Sequence, residues 1–180
     1  MKKEIIKEIE IPEGIHAELD RDQIVVKGKG GEIRRNFPKE KVSLEIKSGK
    51  VIISSKNATK KEKKIINTNA AHIKNMIKGV EEPFEYKLKI CFNHFPISVE
   101  IKGNEAIVKN FLGEKVPRKV SLPKGIEIKM DKDIITITSP NKELAGQAAA
   151  NLERVTKIKL RDRRIFQDGI FMITKAGRAV

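Results

Sequence analysis

The sequence predicts an α+β protein built from two tandem copies of one small domain, each a mainly antiparallel sheet covered by one helix. One observation is that residues from Ile97 onward resemble the first half of the chain at a constant shift of 82 positions. Another is that short alternating apolar and polar runs, typical of strands, precede one amphipathic helix in each half. We therefore expect domains at 1–82 and 83–180, the second ending in a basic tail.

The internal shift is ungapped and spans strands, turns and helix. The matched pairs are Ile15 with Ile97, Glu18 with Glu100, Lys27 with Lys109, Gly31-Glu32 with Gly113-Glu114, Glu45-Ile46-Lys47 with Glu127-Ile128-Lys129, Lys50 with Lys132, Ile52-Ile53 with Ile134-Ile135, Lys60 with Lys142 and Asn69 with Asn151. One register that superposes every kind of element is hard to attribute to composition, so we interpret it as a duplication.

In the first half, a lead-in at 5–11 is followed by short predicted strands. These are residues 16–19, 23–27, 42–46 and 51–53. The predicted turns are Asp20–Asp22, Gly28–Gly31, which leads to residues 32–37, and Ser48–Lys50. Thr59 and Glu62 have capping-box spacing, which predicts the start of a helix. Its apolar residues recur at helical spacing to Ile77, and Gly79 is predicted to end it at about Lys78.

The second half begins with another predicted strand. Its apolar residues alternate with polar ones and form an aromatic-rich inner face: Phe84, Tyr86, Leu88, Ile90 and Phe92. The helix of this half is expected over residues 140–155, and Gly169–Ile173 reads as a strand. Each helix has a single apolar stripe, so each is expected to lie against its own sheet.

The chain is basic, and the charge is uneven. It holds 38 Lys and Arg against 24 Asp and Glu, a formal net charge of +14. Residues 1–82 contribute 19 − 13 = +6, residues 83–153 contribute 11 − 9 = +2, and residues 154–180 contribute 8 − 2 = +6. This excess favours a polyanionic partner, and we expect RNA bound by the C-terminal end.

Cysteine content and hydropathy indicate an intracellular, soluble protein. Cys91 is the single cysteine, so no disulfide can form within the chain. No apolar run approaches the roughly 20 residues that cross a bilayer. The first residues lack the apolar core of a signal peptide. A membrane-surface role is disfavoured too, because the C-terminal helix is rich in alanine and lightly charged.

No residue pattern indicates catalysis, a metal or a cofactor. Gly28–Gly31 follows a strand, but Ile33 occupies the third glycine position of the dinucleotide fingerprint, so we interpret the run as a turn. The histidines His16, His72 and His94 are scattered and lack ligands at metal spacing. The lysine run within Thr59–Lys64 is either a solvated helix start or a phosphate contact. We predict a protein that is not an enzyme and takes no cofactor.

The basic tail carries the main functional hypothesis. Lys157, Lys159, Arg161 and Arg163 recur at every second residue. In an extended segment they would line one side at ~6.6 Å intervals, close to phosphate spacing along a nucleic acid. The alternative is a final strand with charged outer residues. The chain is only 4% aromatic, which favours backbone and shape recognition of folded RNA over base stacking.

Several motifs resemble one protein family over nearly the whole chain. They are Asn67–Met76, Tyr86–Ile90, His94-Phe95-Pro96, Asn110–Lys115 with Pro117-Arg118, Ala145-Gly146-Gln147 with Ala149-Ala150-Asn151, Arg161–Arg164 and Phe166–Ile170. Together they resemble the archaeal and eukaryotic branch of the universal L-six family of the large ribosomal subunit. Residues 1–60 match more loosely. Phe171 stands where tyrosine is expected, and Leu152 stands where isoleucine is commoner.

The resemblance implies a structural rRNA-binding protein of the cytoplasmic ribosome. It implies binding to large-subunit rRNA near the stalk base and the sarcin–ricin loop, where translational GTPases dock, beside neighbouring ribosomal proteins and with no small-molecule substrate. The C-terminal domain makes the main contacts in this family, which implies as RNA-binding residues Lys115, Arg118, Lys157, Lys159, Arg161, Arg163, Arg164 and Lys175. Asn69, His72 and Asn75 match a family motif and are expected to contact RNA, a protein or the core. The alternative function is a basic scaffold for acidic proteins.

Overall fold

The two halves of the chain fold as separate units in the computed structural model, which describes residues 3–37, 42–47 and 49–180. One unit is Met1–Pro83 and the other is Phe84–Val180. Ser48, which belongs to the predicted turn before Lys50, lies outside the described residues. None of the described helices is long and apolar enough to span a membrane.

The first unit combines two antiparallel sheets with one helix. Its described elements are β1 (Lys3–Glu10), β2 (His16–Asp20), β3 (Gln23–Gly28), β4 (Gly31–Asn36), β5 (Ser43–Lys47), β6 (Lys50–Ala58) and α1 (Lys60–Glu81). The strand orders are β1-β6-β5 and β2-β3-β4. Helix α1 contacts β1, β3, β4 and β6. Its apolar stripe, which includes Ile66 and Ile73, closes a core containing Ile24 and Ile53.

The second unit repeats this plan and extends it. Its elements are β7 (Phe84–Cys91), β8 (Ser98–Lys102), β9 (Glu105–Lys109), a 3₁₀ turn (Phe111–Gly113), β10 (Arg118–Ser121), β11 (Glu127–Asp131), β12 (Ile134–Ser139), α2 (Lys142–Val155), β13 (Gly169–Lys175) and β14 (Arg178–Ala179). The strand orders are β11-β12-β7-β13-β14 and β10-β9-β8. The alanines Ala145, Ala148 and Ala149 are fully buried, and their small side chains bring α2 close to the sheet.

The element bounds reproduce the 82-residue shift. Strands β2 and β8 are offset by 82 residues, as are the first residues of α1 and α2. The helix caps Thr59 and Asn141 have the same offset. The order β1-β6-β5 corresponds to β7-β12-β11. The predicted tandem α+β fold is confirmed, with the strands of each unit divided between two sheets. Strands β13 and β14 are an addition of the second unit.

Helix α1 starts as predicted but ends later. The capping box is present: the Thr59 hydroxyl accepts from the helix backbone, and the Glu62 side chain accepts from the Thr59 N–H. The prediction that Gly79 ends the helix is wrong, because α1 continues to Glu81. The reason is tertiary: the Gly30 N–H donates to the Val80 carbonyl at 2.7 Å, so the β3–β4 turn packs on the last helical turn.

The glycines of that turn make this contact possible. A Cβ at Gly28 would lie 2.4 Å from Val80 Cγ1, and one at Gly30 would lie 2.8 Å from the Val80 carbonyl oxygen. Gly30→Ala is therefore expected to lower the free energy of unfolding by about 1–3 kcal/mol, because backbone must move to relieve the overlap. Urea denaturation measures this. Lys29→Ala, at an exposed position of the same turn, is the control, and an equal loss in both variants would contradict the account.

The inner face of β7 is shorter than predicted. Tyr86, Leu88 and Ile90 are buried, as the alternation indicates. Phe92, predicted to belong to that face, lies beyond the end of the strand and is 42% exposed. The turn that follows β7 carries it away from the core, and this places an aromatic ring at the surface.

Candidate nucleic-acid interface

The chain between α2 and β13, residues 156–168, is called here the basic segment. It contains no strand, so the predicted extended edge with four cations at regular intervals is wrong. Leu160 has a left-handed backbone with φ of 56°. A turn follows, in which the N–H groups of Ile165 and Phe166 donate to the Asp162 carbonyl at 3.2 and 3.0 Å. The alternating Lys and Arg residues follow the pattern of a strand, but contacts with residues distant in sequence bend the segment.

Arg118 holds the beginning of the segment. Its Nη1 donates to the carbonyls of Val155 at 2.8 Å and Lys157 at 3.3 Å. Its Nε and Nη2 donate to the Glu114 carboxylate at 2.7 and 2.5 Å. The guanidinium also lies over the Phe111 ring, 4.4 Å from its centroid. Because a guanidinium has five N–H donors, these four bonds leave Arg118 little capacity for a phosphate.

Glu114 is the counter-charge in this arrangement. The hydrogen bond from Arg118 lowers the pKa of Glu114, against the opposing effect of burial, and the charges of Arg118 and Arg161 lower it further. The carboxylate therefore stays ionised at neutral pH and keeps the guanidinium turned inward. In the structure, Arg118, for which the sequence predicts an RNA contact, supports the segment.

Asp168 holds the end of the segment. Its carboxylate is buried, accepts from the His94 backbone N–H at 3.1 Å and lies 2.9 Å from His94 Nδ1. Burial raises the pKa of Asp168, but hydrogen bonds from the His94 ring and from the backbone of His94 and Asn93 outweigh it, so the pKa is lowered. The His94 ring stacks on Phe166, with centroids 4.8 Å apart. A carboxylate held by several donors ties the end of the segment to the 93–94 turn.

Two further contacts complete the support. The buried Thr156 hydroxyl accepts from the Ile170 N–H at 2.9 Å and donates to the Glu153 carbonyl at 3.2 Å. The Arg161 guanidinium lies 4.9 Å from the Phe166 ring centroid. The basic segment is thus tied to α2, β13 and the 93–94 turn by contacts of the chain itself.

The cations of the segment point to the surface. Lys157, Lys159, Arg161, Arg163 and Arg164 are all exposed. Among the described residues, one ion pair involves these five cations: Arg164 Nη2 lies 2.8 Å from Asp162 Oδ2. The Arg164 side chain is 90% exposed. Exposed pairs of this kind are worth little and exchange readily for another anion.

The structure does not bring all predicted residues to this place. Lys115 is exposed in the loop between the 3₁₀ turn and Arg118, close in sequence to Glu114 and Arg118, which support the segment. Lys175 is exposed at the far end of β13, six residues beyond Gly169, which is about 20 Å along a strand. It therefore lies apart from the segment, although on the same unit.

The α1 residues Asn69, His72 and Asn75 do not form an exposed patch. Asn69 is buried, and its Nδ2 has no hydrogen-bond partner among the described residues. His72 and Asn75 are half-buried. The repeat equivalent of Asn69 is Asn151, whose Nδ2 donates to the Ser121 carbonyl at 3.1 Å. Of the three roles predicted for Asn69, its burial favours the core of the first unit.

Sequence reasoning missed the residues that support the segment. His94 and Asp168 are 74 positions apart, and Arg118 and Val155 are 37 apart, so no local spacing signals either contact. It also missed the exposed rings of Phe92 and Phe171 beside the segment. Within the described chain, no group of three or more His, Cys, Asp or Glu is arranged to hold a metal ion.

Comparison with known proteins gives one consistent result. The family model described as Ribosomal protein L6 matches residues 11–82 and, separately, residues 95–169. The chain is 42% identical over 176 residues to the large ribosomal subunit protein uL6 of Methanococcus vannielii, covering 98% of this chain and 97% of that protein. It is also 42% identical over 176 residues to the protein of the same name from Methanosarcina mazei, covering 98% and 100%.

Proposed function

The chain belongs to the ribosomal protein L6 family of the large ribosomal subunit, and we propose that it binds large-subunit rRNA through the basic segment of its second unit. The role is structural and involves no catalysis. The observation that carries the proposal is that five exposed cations occupy a segment whose shape is fixed by Arg118, Asp168 and Thr156. A surface ordered in advance loses little conformational entropy when it binds.

The residues in direct contact with phosphates would be those that the structure leaves exposed. They are Lys157, Lys159, Arg161, Arg163 and Arg164, with Lys115 at the side of the segment and Lys175 as a separate, more distant contact. Arginine suits this role because its planar fork donates two hydrogen bonds to one phosphate. Arg118 serves the same surface by holding the segment in place.

We propose the region of the stalk base and the sarcin–ricin loop as the binding location, beside neighbouring large-subunit proteins and close to the docking site of translational GTPases. The family resemblance motivates this location. Within the second unit, the uneven charge agrees with RNA contact through the C-terminal part: residues 154–180 carry 8 − 2 = +6, whereas residues 83–153 carry 11 − 9 = +2. The less charged part of the second unit remains for protein neighbours.

The alternative is a basic scaffold for acidic proteins, and sedimentation separates the two. If the chain is a ribosomal component, a cell extract fractionated on a sucrose gradient at moderate salt will contain it with large subunits at about one copy each. This is expected because multiple phosphate contacts hold at moderate ionic strength. Recovery in light fractions with acidic proteins, with large subunits depleted of the chain, would support the alternative instead.

A further inference from the structure

A groove of about 670 Å³ lies between the basic segment, which forms one wall with residues such as Lys157 and Phe166, and the end of β7, the end of α2 and the start of β13. Its volume is in the range of small-ligand sites. Three of the seven phenylalanines of the chain, Phe92, Phe166 and Phe171, line it. We propose that this groove receives one unstacked nucleobase of the bound rRNA. The inference rests on the proposed function and specifies how one nucleotide is held.

The aromatic rings offer stacking surface. Phe92 and Phe171 are 42% and 41% exposed, so part of each ring is open to solvent at the groove. The Phe171 ring lies against Gly169, where a Cβ would be 3.2 Å from the ring, so glycine lets the ring rest on the backbone. Nucleobases stack on such rings whatever their identity, because every base has a π-face.

The charge around the groove matches a nucleotide. Arg154, Lys157 and Arg163 line it with exposed side chains, and none of them pairs with a carboxylate in the part of the chain that the structure describes. The two acidic residues of the lining are already engaged: Asp168 with His94, and Glu153 Oε1 with the Met172 N–H at 3.2 Å. A planar apolar group flanked by phosphates therefore fits better than the apolar side chain of a neighbouring protein.

Stacking and phosphate contacts respond differently to salt, which allows a direct test. We measure the affinity of the full chain for an in vitro transcript of the cognate large-subunit rRNA at several salt concentrations. Phe171→Ala is expected to weaken binding about 10-fold because one stacking contact is lost. The slope of log K against log salt is expected to stay that of the wild type, because no phosphate contact is removed. Phe171→Tyr, which keeps the ring, is expected to restore the affinity.

Phe95→Ala is the matched control. Phe95 is 46% exposed in the same unit, near Phe92 in sequence, but it packs against Gly113 and does not line the groove. The Phe95→Ala variant is expected to bind the transcript with the affinity of the wild type.

The wild-type chain also contains a chemical probe of the groove, because Cys91 lines the groove and is half-buried. Saturating rRNA is expected to slow the alkylation of Cys91 by N-ethylmaleimide. Heparin, a polyanion without bases, is expected to leave the alkylation rate unchanged.

The outcomes distinguish the inference from the function on which it rests. A wild-type chain whose affinity for the transcript does not depend on salt overturns the proposed function. Steep salt dependence with unchanged affinity in Phe171→Ala, or equal Cys91 protection by heparin and rRNA, overturns only the nucleobase site. Normal rRNA affinity of Phe171→Ala combined with loss of the variant from assembled subunits would assign the groove to a protein neighbour, which also overturns it.

Discussion

Replacing Arg161, Arg163 and Arg164 together by alanine is expected to lower the affinity of the chain for large-subunit rRNA about 500-fold at 0.1 M salt. Each phosphate contact with a duplex contributes about 0.9 to the slope of log K against log salt, so three contacts contribute about 2.7 log units between 1 M and 0.1 M salt. The slope itself is expected to fall by about the same number. Filter binding or fluorescence titration at four or five salt concentrations gives both quantities.

The control removes the same charge elsewhere in the same unit. Lys124, Lys129 and Lys132 are exposed on or beside β11, which lies at the other end of the five-stranded sheet with β12 and β7 between it and β13. Their replacement by alanine also lowers the net charge by three, yet it is expected to change the slope much less. If both triple variants lose affinity and slope equally, binding follows net charge, and the assignment to the basic segment is wrong.

Asp168→Ala is expected to have the largest effect on stability, lowering the free energy of unfolding by about 2–4 kcal/mol. The substitution removes the acceptor of the His94 backbone N–H and of the His94 ring in a buried place. Donors left without a partner account for most of this cost. Urea denaturation followed by circular dichroism measures it. Asp162→Ala, which removes an exposed carboxylate of the same segment, is expected to change the unfolding free energy far less.

The Asp168 contribution also depends on pH, with a definite sign. The pKa of Asp168 is lowered from its ordinary value of 3.8, so its stabilisation is complete above the unfolded-state pKa and is lost as pH falls through the folded-state pKa. At neutral pH the wild type is therefore expected to be more stable than Asp168→Asn; the difference is expected to shrink as pH falls below about 4 and to vanish only below the lowered folded-state pKa. A stability difference that persists unchanged at low pH would show that the carboxylate charge is not its cause.

The fold was predictable because its signals are local or repeated. Alternation in Phe84–Ile90, the capping box at Thr59 and the 82-residue offset each require only nearby residues or a comparison of the chain with itself. The end of α1 was not predictable, because the Gly30–Val80 contact decides it and a glycine at position 79 signals a stop only in isolation.

The candidate site was predictable in composition but not in shape. The cations of residues 157–164 are evident in the sequence, and all remain exposed. Their arrangement depends on Arg118, His94 and Asp168, which meet the segment only after folding. For the same reason, an arginine that looked like an RNA contact supports the segment. The two roles differ in exposure. The side chain of Arg118, which supports the segment, is 25% exposed, and that of Arg164, a proposed RNA contact, is 90% exposed.

The proposed binding requires that the basic segment and its groove touch rRNA in the assembled subunit. Ultraviolet crosslinking of intact large subunits, followed by mass spectrometry of the crosslinked peptides and sequencing of the attached RNA, tests it directly. Crosslinks are expected to concentrate in residues 154–171 and to be attached to rRNA of the stalk base and sarcin–ricin region. Crosslinks confined to residues 3–82, with none in the second unit, would contradict it.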